Sequence, residues 1–147
     1  QNWKDIYTLN IENIKICKDL LKIIKSKDKE NNFDFKIIER IKDTSLHSHF
    51  IRGFFDGDGS ICKRGKTGKV MSFSGTFNFI NGLNNYLFSL NKGLKLSKLY
   101  KRFKNRDTNN GYQIYYYLSK DNLDIYNWIY HDSKNLCLLR KKEIFKN

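Results

Sequence analysis

The chain has 147 residues, and its 28 Lys and Arg against 15 Asp and Glu give a formal net charge of +13. This length suits one compact domain, and the sequence has no run of about 18 apolar residues, which argues against a transmembrane helix. The charge predicts a polyanionic partner, most simply nucleic acid, although an AT-rich coding sequence would also enrich Lys, Asn and Ile.

The cysteines and histidines predict neither disulfides nor zinc. Cys17, Cys62 and Cys137 are odd in number and lack the spacing of a metal site. They favour a reducing intracellular compartment. His47 and His49 are two residues apart, so on a helix they would point in different directions, and a zinc site there is not expected.

The N-terminal region predicts a strand, a helix and a linker. Residues 3–10 alternate weakly, as a short strand does, and residues 26–34 read as a polar linker. Residues 35–41 follow as an extended segment. The helix is predicted over residues 11–27, where apolar residues recur at helical spacing: Ile11, Ile14, Leu20, Leu21 and Ile24.

From residue 45 onward the predicted order is αββαββα. The first helix covers about 45–55, with Thr44 or Ser45 as its N-cap. Two strands follow at 60–64 and 69–75, joined by a tight turn, and together they form a hairpin.

The second half of this order repeats the pattern of helix and hairpin. A helix is predicted over 77–90, and strands over 95–104 and 112–119 are joined by a turn. Helices over 122–130 and 136–145 complete the chain. Because consecutive hairpins suffice to connect the strands, the sequence predicts an α+β fold with an antiparallel sheet.

The stretch "IRGFFDGDG", residues 51–59, ends a helical pattern in two aspartates, Asp56 and Asp58. The C-terminal end of a helix carries partial negative charge, so carboxylates are disfavoured there unless a cation is present. Gly53 and Gly57 lie four residues apart, on one helix face, where small residues let two helices pack closely.

A pair of such helices would bring two aspartate turns together. Carboxylate and carbonyl oxygens are hard ligands that suit Mg²⁺. An EF-hand loop counted from Asp56 would need Gly and Glu where the chain has Ile61 and Thr67, so that site is excluded. The alternative is an ordinary Gly-Asp cap and turn that leads into a hairpin.

The longer string "HFIRGFFDGDGSI", residues 49–61, resembles the motif helix of LAGLIDADG homing endonucleases. Residues 120–145, "KDNLDIYNWIYHDSKNLCLLRKKEIF", are similar to the closing helices of that family. The resemblance implies that residues 45–147 form an αββαββα half-domain with a saddle-shaped antiparallel sheet that straddles DNA. It also implies a site-specific endonuclease that hydrolyses both DNA strands with Mg²⁺ or another divalent cation.

The resemblance further implies roles for single residues. Asp58 is the expected metal ligand, and the carbonyl of Gly57 is a second candidate ligand. Asp56 starts the turn and is expected to be structural or a catalytic helper. Lys120 matches a basic catalytic position at the end of the last strand. Ser74 matches a polar position at the end of the second strand and would need a water to reach the metal.

One motif supplies one of the two helices that such a site requires. The second would come from a homodimer partner, paired through Gly53 and Gly57, or from an N-terminal half. Residues 1–44 are therefore expected to be an N-terminal extension, either the tail of a preceding half-domain or a segment packed beside the sheet. The expected location is the cytoplasm or nucleoid of a bacterium or phage host, or an organelle such as the mitochondrion, with no membrane association.

Strand alternation predicts a polar sheet face that contacts nucleic acid. Arg and Gln on such a face read base edges in the major groove, and lysines at the hairpin tip contact phosphates. A solvated sheet face is the alternative. The residues predicted to contact nucleic acid are Ser60, Arg64, Lys66, Lys69, Ser74, Lys98, Tyr100, Arg102, Lys104, Gln113, Tyr115 and Tyr117.

Two further function classes stay open at the level of sequence. Basic charge and aromatic residues also suit RNA, so the chain could be an intron maturase or a component of an organellar ribosome or another ribonucleoprotein, without cleavage. A regulator that binds DNA without cutting it is the third class.

Overall fold

A computed structural model describes residues 12–24, 34–65, 68–90, 94–102, 111–119 and 123–145. The predicted strand at 3–10 and three predicted site residues, Lys66, Lys104 and Lys120, lie outside these ranges. Within them, four strands form one antiparallel sheet in the order β1-β2-β4-β3. The strands are β1 Ser60–Arg64, β2 Gly68–Thr76, β3 Tyr100–Lys101 and β4 Gly111–Leu118.

The helices fall between and beside these strands in the predicted order, but the helix predicted over 136–145 is α-helical only at Leu139–Lys142 and continues as a 3₁₀-helix at Glu143–Phe145. They are α1 Ile14–Ile24, α2 His47–Asp58, α3 Phe77–Ser89, α4 Asp124–Tyr130 and α5 Leu139–Lys142. The predicted order αββαββα is therefore confirmed from α2 to α4, and the α+β class with it. Among the described residues, no helix combines the length and the apolar character needed to cross a bilayer.

The core lies between one face of the sheet and the helices α2 and α3. Alternate residues of β2 and β4 are fully or nearly fully buried on this face, because the side chains of a strand point to opposite sides in turn. Phe55 of α2 packs on Phe73 of β2 with ring centroids 5.2 Å apart, and Phe54 packs on Phe79 of α3 at 4.4 Å. The helix α2 is thereby fixed against the middle of the sheet.

Two predictions for the residues before α2 are wrong. Residues 35–41 were expected to be extended, but Phe35–Arg40 is a 3₁₀-helix, which Asp34 caps by accepting a hydrogen bond from the backbone N–H of Lys36. The apolar side chains of this 3₁₀-helix pack against α3. The turn before α2 is capped by Asp43, which accepts from the N–H of Ser45, rather than by Thr44 or Ser45.

Two further elements differ in length. The helix α2 continues to Asp58 instead of ending at Phe55, so both aspartates belong to its last turn. Of the strand predicted over 95–104, the structure describes residues 95–102, and among these the regular strand is Tyr100–Lys101. The preceding residues leave the sheet because the side chains of Asn84 and Ser97 take the place of ladder hydrogen bonds.

Asn84 on α3 is 1% exposed, and both the nitrogen and the oxygen of its amide are hydrogen-bonded. Its Nδ2 donates to the carbonyl of Ser97 at 2.7 Å, and its Oδ1 accepts from the N–H of Ser97 at 3.1 Å and from the hydroxyl of Tyr116 at 2.6 Å. One amide thus joins α3, β4 and the segment before β3.

We expect Asn84→Ala to lower the free energy of unfolding by about 2–3 kcal/mol, because it leaves the Tyr116 hydroxyl and both backbone groups of Ser97 without this partner. Urea denaturation monitored by circular dichroism measures the change. Asn85→Ala, at an exposed position of the same helix, serves as the control and should change stability by less than about 0.5 kcal/mol. Equal losses in both variants would contradict this role for Asn84.

Candidate metal and nucleic-acid site

The motif helix α2 ends in a tight cap at Gly59. The N–H of Gly59 donates to the carbonyl of Phe55 at 2.9 Å. A Cβ atom at this position would lie 2.3 Å from Cδ2 of Phe55 and 2.6 Å from its carbonyl oxygen. Glycine is therefore required here by the close approach of the chain to a core side chain, and β1 starts at the next residue.

A buried lysine neutralises the end of this helix. Lys141 of α5 is 2% exposed, and its ammonium donates to the carbonyls of Phe55 at 2.6 Å, Asp56 at 2.9 Å and Gly59 at 2.5 Å. Three N–H donors thus meet three carbonyl oxygens at the negative end of the helix dipole. Burial, followed by the charge of Arg140, lowers the pKa of Lys141, while Asp56 and Asp58 oppose that shift.

The carboxylate of Asp56 is also used inside the protein. Oδ1 accepts a hydrogen bond from the hydroxyl of Tyr130 at 2.7 Å, and Oδ2 accepts from the N–H of Leu138 at 2.9 Å. Burial, and then this hydrogen bond, raises the pKa of Tyr130. Of the two roles expected for Asp56, this geometry favours the structural one, because both oxygens hold the C-terminal segment.

Arg52 completes the attachment of α2 to the C-terminal segment. It is 4% exposed, and its guanidinium donates to the carbonyls of Leu136 at 2.9 Å and Ile129 at 3.0 Å. A third donor reaches Nδ1 of His49 at 2.6 Å, so this ring nitrogen is the acceptor. We call Arg52, Asp56 and Lys141 the C-terminal clamp.

Asp58 differs from Asp56 in every contact. Its side chain is exposed, and it has no hydrogen bond or ion pair to another residue of the described ranges. The carbonyl of the preceding Gly57 is not among the three that Lys141 binds. Asp58 is thus the acidic side chain that α2 presents to the outside.

The oxygen atoms at this helix end are of the type that binds Mg²⁺, but they are fewer than the ligands of a complete site. One free carboxylate and backbone carbonyls are hard oxygen ligands, and Mg²⁺ binds six of them, several being waters. In the part of the chain that the structure describes, no group of three or more His, Cys, Asp or Glu side chains converges. Asp58 and the carbonyl of Gly57 are therefore the groups that this helix end could offer to a divalent cation.

The glycine face of α2 is open. Both Gly53 and Gly57 are exposed, and a Cβ atom added at either would have nothing within 4 Å. Neither glycine is needed for packing within the described part of the chain. The same face carries Leu46, which is 48% exposed.

The sheet face opposite the core carries the predicted polar side chains. The cross-strand register aligns Ser60 with Ser72, Ser72 with Tyr115, and Gln113 with both Ser74 and Tyr100. We call this the polar face. Its described residues include no acid: Ser60, Cys62, Arg64, Val70, Ser72, Ser74, Tyr100, Gln113, Tyr115 and Tyr117.

Aromatic and cationic side chains pair across the polar face. The guanidinium carbon of Arg64 lies 4.3 Å from the ring centroid of Tyr117, a side chain that is 61% exposed. Tyr100 meets Tyr115 edge to face at 5.5 Å, and the ammonium of Lys98 lies 5.9 Å from the Tyr100 ring. Such rings and cations suit stacking with bases and contact with phosphates.

Two predicted contact residues are placed differently. Ser74 does not end its strand, since β2 continues to Thr76; it is 9% exposed, and its hydroxyl accepts a hydrogen bond from Gln113 at 2.7 Å. Lys69 was expected to contact phosphate at the hairpin tip, but it is 8% exposed. Along β2, Lys69 alternates with the residues of the polar face. The aliphatic part of its side chain is therefore buried on the core side of the sheet.

One residue of the C-terminal clamp, Lys141, lies outside the motif, and the sequence did not predict its role. Lys141 lies in the basic run 140–142, where nothing local separates it from its neighbours. Its three acceptors are 82 to 86 residues away in the chain. The one indication in the sequence was the pair Asp56 and Asp58, because two carboxylates at a helix C-terminus require a nearby cation.

No family model, curated protein or solved structure matches this chain.

We expect Lys141→Met to lower the free energy of unfolding by about 3 kcal/mol, because three carbonyls lose a charged donor and remain largely buried. Arg140→Met is the matched control, since it removes an exposed cation one residue earlier, and it should stay within about 0.5 kcal/mol of the parent protein. Chemical denaturation of the two variants measures the difference. Equal stability of the two variants would contradict the clamp.

Proposed function

We propose that this protein is a LAGLIDADG-type homing endonuclease that cuts both strands of DNA at a specific site with Mg²⁺ or another divalent cation. The observation that carries the proposal is the unequal use of the two aspartates. Asp56 is held by two internal donors, whereas Asp58, at the end of a helix with an open glycine face, is exposed and has no hydrogen bond to a described residue. An ordinary turn would not require this division.

The metal would be held by the carboxylate of Asp58, with the carbonyl of Gly57 beside it, and by the matching groups of a second α2 helix. Pairing through Gly53 and Gly57 would bring the two helix ends together, because no side chain stands between the backbones. A bound divalent ion lowers the pKa of water and stabilises charge on the phosphate oxygens. The chain's own part is to place one carboxylate and to exclude competing cations.

The polar face would contact the DNA, and the sheet would then have the saddle shape of the family. Its cations and amide suit phosphates and base edges, and its lack of acids avoids repulsion from the backbone. Arg64 and Gln113 are the candidates for base contacts. Lys98 and Arg102, both exposed, are candidates for phosphates.

A second candidate function is binding to structured RNA without cleavage. The observation that favours it is the exposure of tyrosine rings on the polar face, 61% for Tyr117 and 47% for Tyr100. Aromatic side chains stack on unpaired bases, which RNA loops offer and intact duplexes do not. Such binding would not depend on Asp58, and this separates it from the first candidate.

We expect Asp58→Asn to abolish DNA cleavage while DNA binding is kept, because the variant removes the charge that attracts the metal and keeps the shape of the side chain. The substrate is a library of linear duplexes incubated with protein and Mg²⁺, and the readout is sequencing of newly formed ends. Asp124→Asn, at an exposed carboxylate of α4, is the control and should cut as the parent does.

The same assay distinguishes the two functions. Cleavage by the parent that stops with EDTA and with Asp58→Asn supports the endonuclease. If the parent forms no new ends with Mg²⁺ or Mn²⁺, and binds folded RNA equally well with and without Asp58→Asn, the RNA-binding function is supported instead. Undiminished cleavage by Asp58→Asn would refute the metal role of this residue.

We expect Gly53→Leu to leave the fold intact but to abolish cleavage. The added side chain meets open space in the described chain, and the loss of a helical glycine raises stability by about 0.5–1 kcal/mol. The same side chain would keep two α2 helices apart. Asn78→Leu, at an exposed position of α3, is the control. Denaturation, sedimentation and the end-sequencing assay measure the three effects, and full cleavage by Gly53→Leu would contradict pairing through this face.

A further inference from the structure

A cavity of 370 Å³ opens at the edge of the sheet, where the chain before β3 leaves β4. This volume lies in the range of small-molecule and nucleotide pockets. Its lining combines apolar, aromatic and basic side chains and contains no acid among the described residues. The polar and aromatic lining includes Lys95, Ser97, Lys98, Tyr100, Tyr115 and Tyr117.

The edge of β4 is left with unused backbone groups inside this cavity. The strand β3 pairs with β4 only at Tyr100 and Lys101. Beyond it, the hydroxyl of Ser97 accepts from the N–H of Tyr115 at 3.2 Å and donates to its carbonyl at 3.0 Å. Alternate residues of a strand direct their backbone groups to the same edge, so the N–H and C=O of Tyr117 also point there.

This donor and acceptor are not bonded to any described residue. A neighbouring amide N–H and C=O form the pattern that the edge of a nucleobase complements, since bases present a donor beside an acceptor. An exposed strand edge with unpaired N–H and C=O groups can bond to a further partner. The cavity therefore has a polar wall that selects a planar, hydrogen-bonding ligand.

The aromatic wall stands beside this edge. Tyr100 is 47% exposed and meets Tyr115 edge to face at 5.5 Å, which restrains the orientation of its ring. Base–aromatic stacking is tolerant of base identity because every base has a π-face. The rim carries two exposed cations, Lys95 and Lys98, of which Lys98 lies 5.9 Å from the Tyr100 ring. A phosphate attached to a stacked base would meet both.

We propose that this cavity binds one unpaired nucleobase, stacked on Tyr100 and hydrogen-bonded to the backbone of Tyr117, with its phosphate on Lys95 and Lys98. The inference rests on the proposed nucleic-acid function and deepens it by naming the substrate feature: a flipped or single-stranded nucleotide at the edge of the polar face. Paired duplex alone cannot fill the cavity, because its bases are stacked on one another.

Fluorescence anisotropy with three fluorescein-labelled probes tests this. The probes are a dT12 strand, an rU12 strand and a 12-unit abasic phosphodiester strand, which keeps the charge and lacks the bases. We expect the parent protein to bind dT12 or rU12 at least about tenfold more tightly than the abasic strand. A tighter complex with dT12 or with rU12 identifies DNA or RNA as the source of the base.

Substitutions of Tyr100 separate the contribution of its aromatic ring to binding from the contribution of charge. Tyr100→Phe keeps the ring and should retain the preference for bases, whereas Tyr100→Ala should lose about tenfold in affinity for the base-containing strands and little for the abasic one. Phe88→Ala removes an exposed ring of α3, 52% exposed, outside the cavity and should change nothing. Equal affinity of the parent for all three probes, or equal losses in Tyr100→Ala and Phe88→Ala, would overturn the proposal.

The duplex library of the cleavage assay, used beside this titration, keeps the two proposals apart. If duplexes of the library are cut with Mg²⁺ but the bases of dT12 and rU12 add nothing over the abasic strand, the cavity proposal fails and the endonuclease stands. If the base-containing strands are preferred and no duplex of the library is cut, the cavity proposal stands and the endonuclease fails.

Discussion

The ammonium of Lys141 on the last carbonyls of α2 is the interaction on which the site depends. A helix that ends in two aspartates concentrates negative charge, and without a cation its last turn would be unstable. Lys141 supplies that cation from α5 and binds carbonyls on both sides of the turn, at Phe55 and Gly59. The same contact fixes where β1 begins and in which direction Asp58 leaves the helix.

The ammonium of Lys141 would also weaken the binding of a metal ion at the end of α2. Three of the carbonyls at the helix end already accept from Lys141, and both oxygens of Asp56 are bonded. A metal ion that approaches one chain would therefore meet one carboxylate and a nearby positive charge. Binding to a single chain should be weak, and it would strengthen only where a second carboxylate offsets the repulsion. In the proposed function, the clamp would therefore link metal binding to pairing.

The sequence predicts well where local patterns decide the structure. Alternation in β2 and β4 and helical spacing in α3 are consequences of burial on one side of an element, and these elements lie where expected. The segment before β3 alternates equally well, yet it leaves the sheet because Asn84, thirteen residues away, offers a competing amide. The role of Lys141 depends on contacts more than eighty residues apart, which no local pattern records.

The open glycines of α2 are a feature that packing within the described chain does not explain. A helical glycine costs about 0.5–1 kcal/mol relative to alanine, and it is normally offset by close packing or a special backbone angle. Gly53 and Gly57 have neither within the described chain, since each has open space around it and the one positive φ at a glycine is that of Gly65. Gly59 shows the contrast, because there a core ring fills the place of a side chain. In the proposed function, a second helix that approaches the backbone from outside would offset the cost at these two positions, and the face that it would approach ends at Asp58.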